Sequence, residues 1–154
     1  MSVYTDIYNS GVAAYDTASQ DKVTADQAIP VFYSTINSWS PFTTTQTDPQ
    51  IIEIQRTMWA TGLSMAVDSV SDQINVHHQR LSIDIMSLQN TITRANTALR
   101  NDKIFPDTLT NEEVANLTSG IAAINALIPQ LQSTQNALNV VRAAAEAKYQ
   151  QLTA

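Results

Sequence analysis

The chain has 154 residues, only 14% of them charged, a net charge of −6, and no cysteine. That length suits one domain with a reasonable core, and the missing thiols exclude a disulfide framework or a thiolate metal site. The eight acids in residues 1–79 face only Lys22 and Arg56, so the acidic first half repels phosphate backbones and no nucleic-acid partner is expected.

The start, Met1-Ser2-Val3-Tyr4-Thr5-Asp6, has no basic segment followed by an apolar run. Neither a signal peptide nor a membrane span is expected, and the compartment stays unassigned. Solubility rests on uncharged polar groups, because roughly a third of the residues are Ser, Thr, Asn or Gln.

Val3, Tyr4, Ile7, Tyr8, Val12 and Tyr15 share one helical face, predicting a short first helix bent or interrupted near Gly11. A second short helix is predicted from Thr24 or Asp26 as N-cap. It carries Ala28, Ile29, Phe32, Tyr33, Ile36 and Trp39, with Pro30 in its first turn. The polar tract 40–47 reads as a linker long enough to permit exchange of these helices between subunits. Asp48-Pro49 then supplies an N-cap and a first helical residue.

From Pro49 to about Asn101 nothing forces a helix to stop. Leu63, Val67, Val70, Ile74, His77 and Leu81 step by fours and threes, as a helix seam requires. The step from Leu81 to Ile85 is four again, a stutter that locally unwinds a supercoil, before Leu88, Ile92, Ala95 and Leu99 resume. The segment 101–107, with Pro106, is the clearest turn, and Thr110-Asn111-Glu112-Glu113 is a capping box for a last helix to about residue 153. That helix carries a seam from Val114 to Leu152, and Pro129 is expected to kink it.

The fold class expected is therefore all-α: an up-and-down bundle dominated by an antiparallel hairpin, about 49–101 and 111–153, with two shorter N-terminal helices. These would cover one end of the hairpin and leave the other protruding. If the chain folds back about Pro106, level positions sum to about 212. That register sets His77 beside Gln135 and Arg142 near Val70, between Asp68 and Asp72. The polar layer then fixes register, and an ion pair with Arg142 or simple solvation is the expected role of the two acids.

Catalytic and metal chemistry is not expected. Adjacent His77 and His78 point about 100° apart on a helix and have no acidic or histidine partner at i+4. No nucleophile elbow, Ser-x-x-Lys or His-Glu-x-x-His occurs, and three glycines cannot build a phosphate loop. No cofactor is implied.

The function expected is a non-enzymatic assembly subunit that packs against itself or other proteins, in a complex such as a virion or secretion machine. Ile83, Met86, Leu127 and Val140 lie outside the main seams and are the candidate interface. The alternative is a lipid or hydrophobic-ligand carrier, or a membrane-surface protein, using the apolar run 120–128.

Overall fold

The computed structural model describes residues 2–154. The chain is all-α, with three helices in up-and-down order: α1 Val3–Ser38, α2 Pro49–Ile104 and α3 Asn111–Thr153.

The start signals work as their chemistry demands. The Ser2 hydroxyl accepts the Thr5 amide at 3.1 Å, and the Asp48 carboxylate accepts the Gln50 amide at 2.9 Å with Pro49 following. At α3 the capping box is reciprocal. Thr110 Oγ1 accepts the Glu113 amide at 3.1 Å, while Glu113 Oε1 accepts the Thr110 amide at 2.9 Å.

The two short N-terminal helices expected from the sequence are one continuous helix of 36 residues, with Pro30 inside it. The reason lies in a seam of small residues. Tyr4, Ile7, Gly11, Ala14, Ala18, Asp21, Ala25, Ala28 and Phe32 alternate steps of three and four, with Ile7, Ala18, Ala25 and Phe32 buried. The heptad thus runs unbroken through the stretch where no large apolar side chain announces it. α3 likewise continues as helix through Pro129.

The helices divide into two compact units. The first unit comprises residues 1–24 and 79–135. Ile7, Ala95, Ala98 and Leu117 form one buried cluster there, against which Tyr4, Leu99, Leu109 and Ile121 pack. Leu81, Leu88 and Leu131 are fully enclosed. Its connector between α2 and α3 closes tightly: Asp102 Oδ1 accepts the Leu109 amide at 2.9 Å, and Asp107 takes a positive φ of 68°, a conformation that Asp tolerates better than most side chains.

The second unit comprises residues 25–78 and 136–154. Phe32, Ile36, Leu63, Val70, Ile74, Leu138 and Val141 are buried in it. The segment between α1 and α2 is held down on α2: Trp59 Nε1 donates to the Ser40 carbonyl at 3.1 Å, and Phe42 lies 5.9 Å from the Trp59 ring and under the Arg56 guanidinium at 5.3 Å. α1 contributes residues to both units.

Candidate functional site

Gln135 and Arg142 each bond to a polar side chain of α2. Gln135 Nε2 donates to Ser82 Oγ at 2.7 Å in the first unit, and Arg142 donates to Asn75 Oδ1 in the second. Both pairs sum to 217 rather than about 212. The centre of the fold-back moves because α2 runs on to Ile104 and α3 begins at Asn111, so the connector is centred beyond Pro106. Gln135 thus meets Ser82 within the first unit, and within the second the His77 ring packs edge-on against Phe32 with centroids 6.0 Å apart. Asp68 and Asp72 are exposed, in keeping with solvation, one of the two roles expected for them, and Arg142 bonds to Asn75.

Of the four residues expected at an interface, Ile83, Met86 and Val140 are exposed, at 65%, 68% and 61%. Leu127 is not: it is 5% exposed. It stands three residues after Ile124 and four before Leu131, both buried, so the α3 core stripe takes Leu127 in.

Ile83 and Met86 belong to a longer row. Ile51, Ile54, Met58, Met65, Val76, Ile83 and Met86 are all exposed on α2, at steps of three, four, seven, eleven, seven and three. Each step is close to a whole number of turns, so the seven share one face. Core residues Leu63, Ile74, Leu81 and Leu88 each stand two positions from a member of the row, which is about 200° around the helix. The row therefore lies opposite the core. Asp68 and Asp72 continue the same steps and interrupt it. Sequence reading missed this second seam because it followed the first and stopped there.

A second feature missed in the sequence is a buried carboxyl. Asp84 is 7% exposed, shares a hydrogen bond with Asp21, and has Oδ2 without a partner. Burial, then the hydrogen bond and the charge of Asp21, push its pKa up from 3.8 to about 7. Two carboxyls can share a hydrogen bond only when one carries the proton. From α3 no titratable side chain reaches this unit between Val114 and Gln135, since the sequence holds none there. The signal was present: Asp84 stands three after Leu81 and Asp21 three after Ala18, both regular seam positions. At the stutter the core takes both Asp84 and Ile85.

The first unit also contains an apolar groove of about 250 Å³. α1 contributes Tyr8, Gly11, Val12 and Tyr15, α2 contributes Thr91 and Ala95, and α3 contributes Leu117, Gly120, Ala123 and Ile124. Among the described residues Asp16 is the one charged residue on it.

α3 itself departs from one expectation. By length and composition it is apolar enough to cross a membrane, with an 18-residue window of mean hydropathy 1.2, of which 22% is buried. No long unbroken apolar run marks it in the sequence, because Asn, Thr and Gln punctuate the uncharged stretch from Val114 to Val141. Among the described residues no group of three or more His, Asp or Glu side chains could hold a metal ion.

Comparison with protein-family models, with curated proteins and with solved structures found no match to this chain.

Proposed function

We propose that this chain is a non-enzymatic structural subunit whose outer α2 face packs against a helix of another subunit, in the first instance a second copy of itself. The row of seven exposed apolar side chains on α2 carries this reading. Single exposed apolar residues are ordinary, but apolar side chains that recur on one helix face at helical spacing form a surface a partner helix can cover. Asp68 and Asp72 within the stripe add selectivity, since a partner must meet them with a cation or a hydrogen-bond donor, as polar residues inside coiled-coil seams set register.

The test is absolute mass by light scattering over a concentration series, for the natural chain and for Met65→Lys with Ile83→Lys. Both sites are exposed, so the variant retains its helical content and melting temperature. Association that grows with concentration and disappears in the variant supports the proposal; a monomer at every concentration overturns self-association.

The weakly buried, uncharged window of α3 favours a second reading, contact with a lipid surface or carriage of an apolar ligand. Flotation with neutral liposomes discriminates, because lipid binding through α3 is lost in Ala122→Lys with Ala126→Lys and is unaffected by the α2 substitutions.

A further inference from the structure

We propose that the groove of the first unit binds a single-chain cationic amphiphile, an apolar tail bearing an ammonium head. Its volume of about 250 Å³ falls just below the roughly 300 Å³ at which pockets for drug-sized ligands begin, and suits one unbranched tail better than a side-chain-bearing helix. Val12, Ala95, Leu117 and Ile124 give the tail apolar contacts.

At Gly120 the groove has room for a larger residue. A Cβ on Gly120 would meet nothing within 4 Å, so no close packing demands glycine there, although a glycine inside a helix costs stability relative to alanine. Gly120 is exposed, so the groove opens to solvent along its α3 side.

Charge selects the head group. Among the described residues no lysine or arginine lines the groove, and Asp16 is its one charged residue. Among the described residues Asp16 has no ion pair or hydrogen bond, so its carboxylate is available to a ligand. Tyr8 and Tyr15 stand on the same face of α1 and are partly exposed, offering ring faces of the kind that attract quaternary ammonium groups. A carboxylate or sulfate head would meet only Asp16 and find no counter-charge.

The experiment titrates the full chain with decyltrimethylammonium, decanoate and decanol below their aggregation concentrations, following heat and backbone amide shifts. Saturable one-to-one binding of the ammonium is expected, with decanoate weakest and the shifts concentrated at Gly11, Gly120 and Ala123. Asp16→Asn should weaken the ammonium roughly two- to five-fold and leave decanol unchanged. Gly120→Leu should abolish binding of both while the chain stays folded, because its side chain enters empty space. Non-specific adsorption to an acidic protein does not depend on Gly120, so undiminished binding in Gly120→Leu overturns the proposal. Equal or tighter binding of decanoate overturns the choice of head group, and the absence of saturable binding overturns the site.

Discussion

Asp84 and Asp21 share a hydrogen bond between α2 and α1, with Asp84 enclosed and holding its proton to about pH 7. The unfolded chain releases that proton near the ordinary value of 3.8. Between these values the native state binds more protons, so this group's contribution to stability falls as pH rises through the window and levels off above about 7. The loss is bounded at about 4 kcal/mol, because each tenfold change in proton affinity is worth about 1.4 kcal/mol. Asp84→Asn keeps the size and removes the ionisation. Urea unfolding at pH 4, 6 and 8 should show the variant gaining on the natural chain as pH rises, and parallel pH profiles would contradict the assignment.

Arg142 spends its guanidinium on Asn75, while its Nε is buried without a partner. An unsatisfied buried donor costs about as much as an exposed hydrogen bond returns. Arg142→Met, which keeps the stem, should leave stability within about 0.5 kcal/mol or raise it, whereas Arg142→Ala should cost ~1 kcal/mol through lost stem packing. A large loss in the methionine variant would show that the bond to Asn75 dominates.

Two glycines should respond oppositely to alanine. Gly62 has open space where a Cβ would stand, so Gly62→Ala should stabilise by about 0.5–1 kcal/mol through helix propensity. At Gly11 the Cβ would stand 3.0 Å from Thr91 Cγ2, and Thr91 is buried and bonded to the Ser87 carbonyl. Its limited freedom to shift should cancel the gain or reverse it. Thermal melting of both variants decides this, and equal stabilisation would remove the claim of close approach between α1 and α2.

Thr110→Ala should destabilise by about 1 kcal/mol, because it removes the acceptor of the Glu113 amide and half of the reciprocal box. Thr118→Ala, which removes a hydroxyl bonded to the Val114 carbonyl within the same helix, should lie within about 0.5 kcal/mol of zero. Amide exchange in the first turn of α3 should accelerate only in the former.

The sequence by itself determined the helical class, the starts of α2 and α3, and the hairpin, because each rests on local chemistry: an N-cap acid before Pro49, a capping box at Thr110, and large apolar residues at seam spacing. It also marked Ile83, Met86 and Val140 as lying off the core stripe. Tertiary structure alone decided the rest. α1 is continuous because the alanines and the glycine of its seam bury little area and signal weakly, yet fit closely against neighbouring helices. Leu127 is inside because three helices, rather than two facing seams, enclose a wider arc of α3. Gln135 and Arg142 meet Ser82 and Asn75 because register follows where α2 ends, and that end shifts by a few residues without any change in periodicity. Asp84 holds its proton because Asp21 and an apolar surround meet it from another helix. Spacing along one chain records which side chains share a face; only packing sets what that face meets and at what dielectric.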